Sequence, residues 1–159
     1  RDLVGVAGEL HQRTAVRNAA TVIVVRDRDT TPAILMGQRG SKAAFMPNKF
    51  VFPGGAVDAA DADITLAAPL PDPCLSRVSE DATPDLAHAL AAAAVRELWE
   101  ETGLILGEKA DWTGAVPDDW SRYAATGHVP TASALQFVFR AITPPGRPLR
   151  CAVLPCGCR

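Results

Sequence analysis

Three carboxylates, Glu97, Glu100 and Glu101, stand at i, i+3 and i+4 in the stretch Arg96-Glu97-Leu98-Trp99-Glu100-Glu101-Thr102-Gly103-Leu104. On a helix they share one face within about a turn. Like charges this close repel each other, so the face calls for a cation. Their place at the C-terminal end of such a helix opposes its dipole, at roughly 0.3–1 kcal/mol per charge. That is a poor choice for stability and a sensible one for a metal site. The alternative reading is a glutamate-rich face that is simply solvated. Upstream, Phe52-Pro53-Gly54-Gly55-Ala56-Val57-Asp58-Ala59-Ala60-Asp61 adds a second feature. Two glycines after a proline let the backbone turn sharply and bring bare carbonyls and amides close to a ligand.

A helix must position the acidic face, and the sequence marks both of its ends. Thr83-Pro84-Asp85 offers a hydroxyl N-cap, a proline at the first helical position and a carboxylate in the first turn, while Gly103 stands where a left-handed C-cap belongs. Leu86, Leu90, Ala94 (or Ala93) and Leu98 form an apolar stripe between them, over about five turns.

Strands come earlier and later. Residues 20–25 are a continuous β-branched run that predicts a buried strand, and residues 33–39 predict its hairpin partner across a polar turn. Phe50-Val51-Phe52 reads as a short strand stopped by Pro53, and residues 133–143 as a strand stopped by Pro144-Pro145-Gly146. Residues 1–17 read as an N-terminal arm, and residues 62–82, rich in Pro, Asp, Ala and Ser, as an inserted surface loop dispensable for folding. Residues 107–130 look irregular, with Trp112, Trp120 and Tyr123 as anchors that pack a long loop on the core. Residues 147–159 show no clear element: an irregular tail rich in Cys and Pro.

At 159 residues the chain suits one domain. With 48% hydrophobic and 21% charged residues and a net charge of −2, it has the composition of a globular protein and no basic excess for nucleic acid. No apolar run approaches a membrane span, no signal-peptide core follows Arg1-Asp2-Leu3, and a cytoplasmic location is the default expectation. The missing initiator Met hints at a trimmed chain or a fragment. Cys74 stands alone, and Cys151, Cys156 and Cys158 crowd the tail without a second cluster, so free thiols are expected rather than zinc.

These residues resemble the Nudix hydrolase family, whose box is Gly-x5-Glu-x7-Arg-Glu-U-x-Glu-Glu-x-Gly-U with U apolar. The second half matches through Arg96, Glu97, Leu98, Glu100, Glu101, Gly103 and Leu104; the first matches as Gly55 followed by Asp61 in the Glu position. Asp61 and Arg96 lie 35 positions apart where the family has 8, so about 27 residues are inserted. Loop closure costs grow slowly with length, which makes an insertion here tolerable. Within the family the interruption looks like the branch of the peroxisomal acyl-coenzyme A diphosphatases. Leu35, Arg39 and Phe52-Pro53-Gly54-Gly55 fall in register on a coenzyme A signature, but Gly40, Ala44 and Asn48 replace its Ser, Arg and Gly.

The resemblance implies an α/β Nudix fold, a mixed β-sheet sandwiched between helices. Here the sheet is expected to be incomplete at the C-terminal end, because relatives continue with a further strand and residues 149–159 do not resemble one. It implies hydrolysis of a pyrophosphate linking a nucleoside to another group, with coenzyme A or an acyl-coenzyme A as the favoured substrate. The alternatives are an ADP-ribose or NADH type pyrophosphatase, or a catalytically weak Nudix-fold nucleotide-binding or interaction module. Glu97, Glu100 and Glu101 with the Gly54 carbonyl would hold Mg²⁺ or Mn²⁺, one of the glutamates acting as or orienting the base. Arg96 would be mainly structural, tying the helix to Asp58 and Asp61. Arg39, Lys49, Phe52, Gly54 and Gly55 would meet the substrate, while residues 62–82 and 112–123 shape the pocket for the linked group. The partner is a small molecule, with no nucleic acid and no membrane, and an exposed sheet edge would allow a homo-oligomer.

Overall fold

The computed structural model describes residues 17–41, 47–80, 82–142 and 149–157. Residues 1–16 of the arm expected over residues 1–17, Ala44 in the coenzyme A register and Cys158 lie outside the described residues, while Arg17 already belongs to the first strand.

Strand β1 (Arg17–Arg26) is the centre of the main sheet. One edge of β1 pairs antiparallel with β2 (Ala33–Ile34), which follows a turn at Asp27, and with β5 (Gly54–Ala56); the other edge pairs parallel with β9 (Leu149–Gly157). Its burial alternates instead of being continuous. Ala20, Val22 and Val24 are buried in the core, while Thr21, Ile23 and Val25 on the other face are half-buried. The partner expected over residues 33–39 is split: after Leu35 donates to the Val24 carbonyl at 3.0 Å, the chain leaves the sheet and forms β3 (Gly37–Gln38), which pairs with β4 (Phe50–Val51). The Gly54-Gly55 segment is likewise more than a turn, since β5 is in register with Ala19, Ala20 and Thr21 of β1.

The inserted segment departs most from the expected surface loop. A 3₁₀ turn (Ala59–Asp63) leads to helix α1 (Cys74–Ser79), and Ile64, Leu70, Cys74 and Val78 are buried in the core cluster. His88 Nε2 lies 2.7 Å from the Ile64 carbonyl, and Arg140 donates to the Val78 carbonyl, so the segment is tied to a helix and to a strand.

Helix α2 (Pro84–Thr102) follows the expectation at both ends. The Thr83 hydroxyl accepts from the Leu86 amide at 3.3 Å, and Gly103 closes the helix at φ 75°. The buried face is wider than the four-residue stripe. Ala91 to Val95 are all buried, because small side chains let the sheet and the insertion approach α2 from several sides.

Residues 107–130 are also more regular than expected: β6 (Gly107–Lys109) pairs antiparallel with β7 (His128–Pro130), and a short helix α3 (Ser121–Ala124) follows a 3₁₀ turn at Asp118–Trp120. Trp120 and Tyr123 are fully buried, as anchors should be. The strand expected over residues 133–143 is reduced to β8 (Phe139–Ile142).

The C-terminal expectation is overturned. Leu149–Gly157 forms the nine-residue strand β9, inserted between β1 and β8 in the order β2-β1-β9-β8. The tail is therefore not irregular, and it supplies the strand thought to be missing. Proline is rare in central strands because it cannot donate to the ladder. Pro155 escapes that objection because pairing with β8 ends at Val153, so β9 has an open flank there among the described residues. No helix among the described residues is long and apolar enough to cross a membrane.

Candidate functional site

Arg96, buried among the last turns of α2, organises the acidic site. Its fork grips Asp61: Nε donates to Oδ1 at 3.0 Å and Nη2 to Oδ2 at 2.9 Å. Nη2 also donates to the Ala56 carbonyl at 3.0 Å and lies 3.3 Å from Asp58. Nη1 points the other way, donating to Glu97 at 3.0 Å and reaching Glu100 at 3.5 Å. One guanidinium thus joins β5, the 3₁₀ turn and two of the three glutamates. A planar fork with five donors can do this; an ammonium cannot. Burial alone would lower the tendency of Arg96 to hold its proton, but the hydrogen bond to Asp61 and the charges of Asp61, Glu97 and Asp58 raise it well above the usual range.

Asp61 has no exposed surface. Oδ1 takes Arg96 Nε and the indole N–H of Trp120 at 3.2 Å; Oδ2 takes Arg96 Nη2 and the Asp58 amide at 2.9 Å. Four donors meet one buried carboxylate, which is what stabilises such a charge away from water. Sequence reasoning missed the fourth donor. Trp120 lies 59 residues from Asp61, and no periodicity links them.

Two of the three glutamates, Glu97 and Glu101, meet the glycine strand. Glu97 is half-buried and sits over Gly55, where an added Cβ would fall on its carboxylate. The Gly54 amide donates to Glu101 Oε2 at 3.1 Å. Burial raises the Glu97 carboxyl above the ordinary range; Arg96 opposes this, and the neighbouring charges of Glu100 and Glu101 push it further up. Gly54 has φ 152°, and a Cβ there would strike the Ala20 carbonyl and the Thr21 backbone.

The structure brings together Arg96, Glu97, Glu100, Glu101, Gly54 and Gly55. Arg39 and Lys49 meet each other instead, at the loop end of the β3–β4 pair, where the Arg39 amide donates to the Lys49 carbonyl at 3.0 Å. Phe52 is half-buried on the link from β4 to β5. Among the described residues no three His, Cys, Asp or Glu side chains converge as a ready metal cage. Arg96 draws Glu97 and Glu100 to one side, and the Gly54 amide draws Glu101 to another. The donor set still fits a hard divalent cation, being all carboxylate oxygen with no thiolate or imidazole, and crowded enough that each charge raises the cost of the next.

A cavity of about 240 Å³ opens between the inserted segment and the loop before α3. Asp63, Ile64 and Ala67 line one side, and Asp111, Trp112 and Pro117 the other.

The comparisons with known proteins agree with this architecture. No family model matches the chain. Over 96 residues, 60% of the chain, it is 38% identical to a Caenorhabditis elegans protein named "Putative nudix hydrolase 7". The chain spans only 24% of the length of that curated relative. The crystal structure of a NUDIX hydrolase from Alicyclobacillus acidocaldarius superposes with a TM-score of 0.68 at 28% identity, covering 92% of this chain and 71% of that one. The chain has the Nudix fold, an α/β architecture with mixed sheets and helices.

Proposed function

We propose that this chain belongs to the Nudix hydrolases and is a metal-dependent enzyme that splits the pyrophosphate of a nucleoside diphosphate joined to another group. The observation that carries the reading is the acidic end of α2 set against Gly54 and Gly55 and locked by the Arg96–Asp61 fork. The relative and the structural neighbour, both named as Nudix hydrolases, support it.

Glu97, Glu100, Glu101 and the Gly54 carbonyl would hold Mg²⁺ or Mn²⁺, which when bound neutralises phosphate oxygens and makes hydroxide available at neutral pH. The protein's own part is placement. Arg96 fixes Glu97 and Glu100 from within the fold, and Gly55 leaves room for the Glu97 carboxylate over β5. Arg39, Lys49 and Phe52 are proposed to meet the substrate from the link between β3 and β5. The cavity lined by Trp112 and the inserted segment would take the group beyond the pyrophosphate.

Coenzyme A or an acyl-coenzyme A is the favoured substrate, on the register of Leu35, Arg39 and Phe52-Pro53-Gly54-Gly55. ADP-ribose and NADH are the competing substrates. A catalytically weak nucleotide-binding or interaction module is the second reading, favoured by the engagement of the carboxylates with Arg96 and the Gly54 amide. A cytoplasmic setting belongs to the hydrolase reading. So does a homo-oligomer, through β8, the last strand of its sheet, where Phe139 and the preceding Val138 are about half exposed.

The test is a panel of coenzyme A esters, ADP-ribose, NADH and dinucleoside polyphosphates, assayed with Mg²⁺ and with EDTA. Glu100→Gln and Glu101→Gln should each lower kcat at least about a hundredfold. Turnover unchanged in excess EDTA removes the metal mechanism. ADP-ribose preferred about tenfold over every coenzyme A ester removes the coenzyme A assignment alone.

A further inference from the structure

The fork that orders the acidic site rests on a residue outside the box. Asp61 is held by Arg96 and by a backbone amide, and also by the indole N–H of Trp120, 59 positions away. Trp120 is itself immobilised. It has no exposed surface, its amide donates to the Pro117 carbonyl at 2.9 Å, and its ring is packed by Tyr123 at 5.3 Å and Trp112 at 5.9 Å between centroids. The polar atom of this ring therefore points at Asp61 from a fixed place.

That matters because an aspartate stands where the box has a glutamate. The carboxylate is one methylene shorter, and the fourth donor comes from the turn before α3. A buried carboxylate whose oxygens each accept two hydrogen bonds cannot rotate without breaking a charge-assisted one. Arg96, gripped in turn by that carboxylate, can then hold Nη1 toward Glu97 and Glu100.

We propose that Trp120 is a positioning residue of the acidic site, acting on Arg96, and through it on Glu97 and Glu100, by fixing the Asp61 carboxylate. The link to catalysis rests on the metal-hydrolase reading above; the link to Arg96 does not. Groups that touch metal ligands commonly govern metal affinity and activity by about 10–100-fold; Arg96 is such a group for Glu97 and Glu100, and Trp120 works through it by way of Asp61.

The experiment compares Trp120→Phe, which keeps a ring and loses the N–H, with Leu135→Ala, a core change elsewhere at a fully buried side chain. Three quantities are read on the intact protein: exchange of the Arg96 Nε–H with water by NMR, Mn²⁺ affinity by electron paramagnetic resonance, and kcat separately from KM. Trp120→Phe should speed Arg96 Nε–H exchange severalfold, weaken Mn²⁺ binding at least about tenfold and lower kcat by a similar factor at unchanged KM. Leu135→Ala should lower the melting temperature and leave Arg96 exchange and Mn²⁺ affinity as they were. Arg96 exchange unaltered in Trp120→Phe overturns the proposal, and so does an equal change in Leu135→Ala. A wild-type protein that binds no Mn²⁺ defeats the hydrolase reading instead, and the Arg96 signal then decides the positioning role by itself.

Discussion

Gly55 lies directly beneath the Glu97 carboxylate, so close that a Cβ at position 55 would collide with its oxygens. What would have to move is the far end of a flexible side chain. Gly54, one residue earlier, faces backbone: a Cβ there would meet the Ala20 carbonyl and the Thr21 Cα, at a φ of 152° that side chains avoid. Neighbouring glycines thus have different duties. Gly55→Ala should cost less than about 1 kcal/mol of stability while displacing Glu97 from Arg96, with kcat falling about 10–100-fold. Gly54→Ala should cost about 1–3 kcal/mol through strain and collision. Urea unfolding and steady-state kinetics on both variants check the split; equal stability losses would contradict it.

Arg96 and Asp61 form a buried pair, and breaking such a pair by removing one member typically costs 3–5 kcal/mol. Arg96→Met leaves the Asp61 carboxylate with only the Trp120 indole and the Asp58 amide as donors. The melting temperature should fall by about 6–20 °C, at roughly 2–4 °C per kcal/mol for a chain of this size. The double variant Arg96→Met with Asp61→Leu removes both charges and should be clearly less destabilised than the two single losses added together. Thermal melts of the three variants give the coupling, and simple additivity would refute it.

How far this architecture was legible depended on whether each signal was local. Helix α2 could be read to the residue because Thr83, Pro84 and Gly103 act on their own neighbours. Asp61 and Arg96 could be joined only by resemblance to a family pattern, since 35 residues separate them. Trp120 could not be found at all, for its hydrogen bond to Asp61 has no spacing rule. Strand β9 was hidden by Pro155 and Gly157, residues depleted in strands, and its place follows from nonlocal parallel pairing with β1. In the insertion, Leu66, Leu70, Cys74 and Val78 recur every four residues, but Pro69, Pro71 and Pro73 forbid a continuous helix across them and so hide a spacing whose last three members are buried.

Because that insertion packs into the core, it should not be dispensable. Replacing residues 65–80 by a short Gly-Ser link removes Leu70, Cys74 and Val78 from the buried cluster. It also removes the Val78 carbonyl that accepts from Arg140. Full burial of a Leu or Val side chain is worth about 1.5–3 kcal/mol, so the loss should exceed about 3 kcal/mol, partly offset by the shorter loop. The melting temperature should drop by more than about 8 °C. A drop under about 2 °C would show that these side chains add little to the core.

Tyr123 is the only tyrosine of the chain and is fully buried, its hydroxyl donating to the Leu106 carbonyl at 2.7 Å. Burial penalises the phenolate and raises the pKa of the group well above its usual value. The unfolded chain releases this proton near pH 10, whereas the folded chain keeps it. Between the two pKa values the unfolded state therefore binds fewer protons, and stability must fall as pH rises. The full contribution is present below about pH 10, and beyond it the decline approaches 1.36 kcal/mol per pH unit. Absorbance at the phenolate band reports Tyr123 alone: the native protein should not ionise at pH 10, whereas the protein in urea should. Tyr123→Phe should lose about 0.5–1.5 kcal/mol at neutral pH with its hydrogen bond, and should lack the part of the alkaline decline that Tyr123 causes. A native phenolate appearing with a midpoint near pH 10 would mean that the ring is open to water, and the packing of α3 against Trp99 and Trp112 would have to be redrawn.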